Sequence, residues 1–167
     1  MIEVYDDSFD EVSLWRVFKH FESYDHWDYL PDVVGQPGTK GKVFDDVFEP
    51  IAYTMIQQLD TTDFRRCLYN AFTYEDCPKP HIDSRTSRGL TYMIYINPNW
   101  DAGMGGETVF LEDREIVKSV APRFGRLVKF RSDIWHSARP PMKDAGTRYS
   151  LVFQTHPIGE PSMADIL

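Results

Sequence analysis

The chain has 167 residues, the size of one domain and enough to bury a substantial core. Its 26 Asp and Glu against 18 Lys and Arg give a formal net charge of -8, which excludes a general polyanion binder because phosphate backbones demand excess cations. With 42% hydrophobic and 14% aromatic residues, it carries too much apolar surface for a disordered chain. The charge is uneven: residues 1–78 have a net of -10 and residues 79–167 a net of +2. The two segments are therefore expected to do different jobs, the acidic one favouring a basic partner. No apolar run approaches the roughly 20 residues that a bilayer span needs. Met1 to Asp7 form no signal pattern. A cytoplasmic protein with no membrane or nucleic-acid partner is expected, with Cys67 and Cys77 as reduced thiols.

Helical periodicity is confined to the acidic segment. Val12, Trp15, Phe18, Phe21 and Trp27 recur at spacings near three and four, predicting a helix over 11–30 capped by Asp10 or Ser13. Val47, Phe48, Ile51, Ala52, Met55, Ile56 and Leu59 form a broad apolar stripe and predict a second helix over 45–60. Between them, residues 35–42 (GQPGTKGK) are rich in turn formers and read as a connector or a lid. Beyond residue 62, β-branched and aromatic runs alternate with Gly, Pro, Asn and Asp, predicting strands at 64–73, 79–83, 89–97, 107–111, 115–120, 126–130, 134–137 and 147–156. Short strands with no helices between them imply antiparallel pairing in a sandwich or barrel. A single domain over 1–167 is expected, with helical support over about 1–62 and a mainly β core over about 63–157.

Within the β segment, His81 and Asp83 are two residues apart, so a strand presents imidazole and carboxylate on one face while Ile82 points away. His136, after the apolar run Leu127 to Phe130, is a candidate third ligand, since the intervening residues leave room for a hairpin or two. Two histidines and one carboxylate leave open positions on an octahedral metal, the arrangement suited to non-haem Fe(II) that must hold a cosubstrate and then O2. A structural zinc site is more often closed by four ligands. His20 and His26 fall in the first helix, and they and His156 read as ordinary surface or partly buried residues. Arg148 opens the last strand, where a buried guanidinium needs an anion. A bound dicarboxylate and an Asp or Glu of the chain itself both answer that need.

The order His81-x-Asp83, Gly105-Gly-Glu-Thr-Val-Phe110, residues 122–130 (PRFGRLVKF), His136 and Arg148-Tyr-Ser-Leu resembles the Fe(II)- and 2-oxoglutarate-dependent dioxygenases. Within them the chain is most similar to the prolyl 4-hydroxylases, including the oxygen-sensing prolyl hydroxylases. Their Tyr-Leu/Ile-Asn followed by Asp/Asn-Trp-Asp-Ala is matched by Tyr95-Ile-Asn97 and Asn99-Trp-Asp-Ala102. The resemblance covers roughly residues 66–156 and implies a double-stranded β-helix, or jelly-roll, core. It implies that His81, Asp83 and His136 bind iron and are the catalytic centre. Arg148 is then the partner of the distal carboxylate of 2-oxoglutarate, Tyr95 a hydrogen-bond donor to the same carboxylate, and Tyr69 a contact to cosubstrate or substrate. The activity implied is O2-dependent hydroxylation of an unactivated C–H bond with release of succinate and CO2, with ascorbate as a possible helper. Its expected target is a prolyl residue in a peptide or protein. The alternatives are a free amino acid or other small molecule as substrate and, further off, a non-catalytic jelly-roll binding module. Two features depart from the family: collagen-type members generally carry lysine where Arg148 stands, and the His136-to-Arg148 interval, with Arg139 to Lys143 inserted, is longer than in the oxygen-sensing group.

Overall fold

A computed structural model describes residues 1–29, 40–85 and 89–156. Its elements are β1 (Ile2–Tyr5), α1 (Glu11–Ser23), β2 (Asp28–Tyr29), β3 (Lys40–Asp45), α2 (Pro50–Ile56), β4 (Phe64–Phe72), β5 (Leu90–Tyr95), β6 (Thr108–Glu112), β7 (Glu115–Val120), β8 (Leu127–Arg131), β9 (Trp135–Ala138) and β10 (Arg148–Thr155). The strands form a major sheet ordered β1-β8-β5-β10-β4-β3-β2 and a minor sheet ordered β7-β6-β9. All pairings within them are antiparallel. The chain is thus mainly β with few helices, and the expected jelly-roll class holds.

The helices are shorter than their apolar patterns predict, for local reasons. Asp10 caps α1 by accepting the Ser13 N–H at 2.8 Å, but the helix stops at Ser23 because Tyr24 turns extended. The buried stripe of α1 is Leu14, Val17 and Phe21, whereas Val12 is 61% exposed. The predicted helix over 45–60 is corrected more strongly. Asp45 ends β3, Asp46 adopts a φ of 61°, and the helix starts only at Pro50, whose fixed φ and missing N–H suit a first helical position. Residues 35–39 of the predicted connector lie outside the described residues, and Lys40 to Lys42 belong to β3. The predicted strand at 79–83 is reduced to one bridge, His81 to His136, because Pro78 and Pro80 have no N–H for a ladder.

Alternation on the major sheet builds two layers. Cys67 and Tyr69 of β4, Tyr92 and Ile94 of β5, and Leu151 and Phe153 of β10 face α1 and α2 and pack with Phe21, Phe48, Ala52 and Met55. Leu68, Met93, Val128, Phe130 and Val152 face the other way and pack against Phe110 and Val120 of the minor sheet. Among the described residues, no helix is long and apolar enough to cross a membrane. Both cysteines are free thiols, Cys67 buried and Cys77 exposed.

Candidate active site

A cavity of about 350 Å³ lies between the sheets. His81, Asp83 and His136 meet on its wall, with one ligand atom from each within 4.8 Å of the others. His81 Nε2 is 3.7 Å from Asp83 Oδ1, and His136 Nε2 is 3.7 Å from Asp83 Oδ2. Backbone bonds fix this meeting: His81 and His136 exchange N–H to carbonyl bonds at 2.9 Å each way, while the Asp83 and Ser84 N–H groups both donate to Ser132 O. His136 arrives on β9, which pairs with β6 across the minor sheet.

The imidazoles are oriented as metal ligands should be. His81 Nδ1 lies 3.1 Å from Lys79 O and His136 Nδ1 lies 2.9 Å from Ile134 O, which turns both Nε2 atoms toward Asp83. Asp83 Oδ2 accepts the Thr91 hydroxyl at 2.6 Å, and Thr91 in turn lies 3.0 Å from Ser132 Oγ. Burial pulls His136 below its ordinary imidazole range, partly opposed by Asp83, and so favours the neutral form that coordinates a metal. Phe130 and Phe110 wall its ring, with centroids at 4.8 and 6.2 Å. Two imidazoles and one carboxylate, converging from one side and open to a cavity on the other, fit a divalent iron that keeps exchangeable positions.

At the far end of the cavity sits Arg148, 1% exposed. Its guanidinium donates to Gly106 O at 2.7 Å, Thr108 Oγ1 at 3.0 Å and Ser150 Oγ at 3.3 Å, and lies over the Tyr95 ring at 4.9 Å. Burial lowers its basicity, which Tyr95 and Glu107 partly restore. Among the described residues, no carboxylate of the chain pairs with it within 4.0 Å. Of the two partners left open by the sequence, an anion from outside the chain is therefore the one the site accommodates. Gly106 is needed here: its φ is +77°, and a Cβ would meet Arg148 Cδ at 3.1 Å.

Two residues expected at the site sit differently. Tyr69 is on the opposite face of the major sheet, where it donates to Glu49 Oε2 at 2.9 Å and packs on Phe21 and Phe44 at 4.6 and 4.9 Å. Burial chiefly, with help from neighbouring groups including Glu49, holds its phenol well above the usual range. The expected contact of Tyr69 with cosubstrate or substrate is corrected: strand alternation puts its neighbours Leu68 and Asn70, not Tyr69, on the cavity wall. Tyr95 is on the correct face but works from behind. Its hydroxyl donates to Val120 O at 2.9 Å, lies 2.8 Å from Thr108 Oγ1, and accepts the Thr108 N–H at 3.2 Å. It braces Thr108 and Arg148, and the donor expected for the cosubstrate is engaged with the protein.

The sequence reading missed Asn70, Thr91, Thr108, Ser150 and Gln154, which supply most of the other polar lining. Their signal was polar residues at alternate positions of otherwise apolar strands. Ser150 and Gln154 follow Arg148 in steps of two and four residues along one face of β10.

An antiparallel jelly roll whose two-histidine, one-carboxylate cluster opens onto a cavity defines the class of mononuclear non-haem metal oxygenases. A family model of the 2OG-Fe(II) oxygenase superfamily matches residues 69–156, more than half of the chain, and the protein belongs to that superfamily, which implies Fe(II) and 2-oxoglutarate. It is an oxidoreductase and a dioxygenase in the sense of that family. No curated protein sequence matches the chain. Among solved structures it is similar to a prolyl-4-hydroxylase from Pseudomonas putida, at 16% identity and a TM-score of 0.73, over 93% of this chain and 92% of that one. A prolyl hydroxylase from Trichoplax adhaerens, in complex with a hypoxia inducible factor peptide fragment, is 14% identical with a TM-score of 0.67, over 93% of this chain and 83% of that one. SnoN, an α-ketoglutarate-dependent epimerase of nogalamycin biosynthesis, is 11% identical with a TM-score of 0.67, over 92% and 76% of the two chains. At such identities the likeness shows the fold alone.

Proposed function

We propose that the protein is a prolyl hydroxylase acting on a peptide or protein, with His81, Asp83 and His136 holding Fe(II) and Arg148 holding the distal carboxylate of 2-oxoglutarate. The observation that carries the proposal is the pairing of an open His-Asp-His cluster with a fully buried arginine that has no carboxylate partner among the described residues, at two ends of one cavity. Similarity to two prolyl hydroxylases, one with a bound peptide, supports the substrate class.

Bound Fe(II) supplies O2 activation, oxidative decarboxylation of 2-oxoglutarate and oxidation of a C–H bond. The chain's residues do the rest. Lys79 O and Ile134 O keep both imidazoles turned with Nε2 toward the metal position, and Thr91 fixes the Asp83 carboxylate. Thr108 and Ser150 accept from the Arg148 guanidinium and hold it in place, so that Arg148 takes one end of the cosubstrate and its other end is directed to the metal position. Phe110 and Phe130 exclude water behind His136.

The experiment is mass spectrometry of a library of capped proline-containing peptides incubated with the protein, Fe(II), 2-oxoglutarate, ascorbate and O2. A gain of about 16 Da on proline in at least one peptide is expected, as one added oxygen requires. A gain only on a free amino acid or another metabolite would overturn the peptide assignment while leaving the oxygenase class intact.

A further inference from the structure

The cavity extends beyond what a metal and a short dicarboxylate need. The residues of β10 that face it, Arg148, Ser150, Val152 and Gln154, span about 20 Å at about 3.3 Å per residue. Arg148 marks the cosubstrate end. At the other end a single cross-strand row runs Thr91, Gln154, Arg66, since Gln154 is the register partner of Thr91 on β5 and of Arg66 on β4. Thr91 bonds Asp83, and the Arg66 side chain is 34% exposed, so this row leads from the metal carboxylate to the rim.

Gln154 is 3% exposed, and its Oε1 has no hydrogen-bond partner among the described residues. A buried acceptor left unmade is costly, and a site built to hold one discriminates strongly for a ligand that supplies the donor. Nothing in the metal or 2-oxoglutarate positions uses it. Arg66 donates through Nε to Asp45 Oδ1 at 2.6 Å, which balances its charge and leaves its terminal nitrogens for a neutral acceptor rather than a free carboxylate. An acceptor and a donor borne by register partners of adjacent strands suit the alternating N–H and C=O groups of a peptide main chain.

We propose that Gln154, with Arg66 at the rim, reads the main chain of the substrate: Gln154 Oε1 accepts a peptide N–H beside the metal, and Arg66 donates to a neighbouring carbonyl. This rests on the peptide reading above and deepens it. A prolyl residue within a chain has no N–H, so the donor belongs to a residue flanking the target.

The test uses the tightest binder from a library of capped Ala-X-Pro-Y-Ala peptides, with X and Y varied, titrated against protein loaded with Mn(II) and 2-oxoglutarate. Gln154→Leu is expected to weaken binding about tenfold. N-methylation of one particular backbone amide is expected to cost the wild type about the same factor and to cost the variant less than about twofold, since the lost bond is already absent. Circular dichroism checks that the variant folds, and Gln154→Met supplies the same cycle if it does not. Equal peptide affinity in wild type and variant, or equal losses on N-methylation in both, overturns the subsite even when proline is hydroxylated. A library with no saturable binder, with turnover only of a free amino acid, overturns the peptide reading and the subsite together.

Discussion

The two faces of β4, β5 and β10 are made from alternate residues of the same strands and could hardly differ more. On the helical face, Tyr69, Tyr92, Ile94, Leu151 and Phe153 are buried among aromatic and aliphatic side chains, and the tyrosine hydroxyls are satisfied within the chain, Tyr69 by Glu49 and Tyr92 by Asp60. On the cavity face, Asn70, Thr91, Arg148, Ser150 and Gln154 put polar groups and a charge into a space between two sheets. One face completes itself, as a core does. The other leaves, among the described residues, a guanidinium without a carboxylate partner and an amide oxygen without a donor, which ligands can supply. Stability and function are thus divided residue by residue along each strand.

The larger test of this division is Arg148→Ala. Because it removes the cation at the cosubstrate end and no metal ligand, it is expected to raise the 2-oxoglutarate dissociation constant at least about thirtyfold, about 2 kcal/mol, while Mn(II) affinity stays the same. Titration calorimetry with each ligand reads the two effects separately. Unchanged 2-oxoglutarate affinity would place the cosubstrate elsewhere and erase the functional half of the contrast. The smaller test is Tyr69→Phe on the opposite face. Loss of the hydroxyl leaves Glu49 short of one partner and is expected to cost about 1 kcal/mol of stability in urea unfolding, with 2-oxoglutarate affinity unaltered. A change in cosubstrate affinity comparable to that of Arg148→Ala would show that the two faces are not separable.

Much of this was readable in the sequence, and the misses have physical causes. Strands β4 to β10 stood out because β-branched and aromatic runs are cut by Gly, Pro and Asn at short intervals. The His81, Asp83 and His136 set was legible from residue type and order, although His81 and Asp83 are placed by a single bridge and by Ser132 O rather than by the regular strand expected. The segment 45–60 misled because its apolar spacing fits a helix, while Asp46 and Pro50 set where a helix can begin. Strands β1, β2 and β3 leave little trace in the sequence: β2 is two residues long, and the apolar residues of the acidic segment recur mainly at helical spacing. Tyr69 failed by register. Side chains alternate with a period of two, so an assignment one residue off Asn70 lands on the wrong face. Gln154 and Thr108 become visible as site residues only once the inward face of each strand is known.

The central claim is that His81, Asp83 and His136 form the iron centre of a working 2-oxoglutarate oxygenase. Its most direct test is O2-dependent succinate formation from 2-oxoglutarate, with Fe(II), ascorbate and the peptide library, by wild type and by His81→Ala. His81, at the open side of the cluster with 35% of its side chain exposed, is the ligand whose removal disturbs packing least. The account predicts succinate from the wild type, dependent on O2, and background levels from a folded His81→Ala protein. Equal succinate from the two proteins would contradict it.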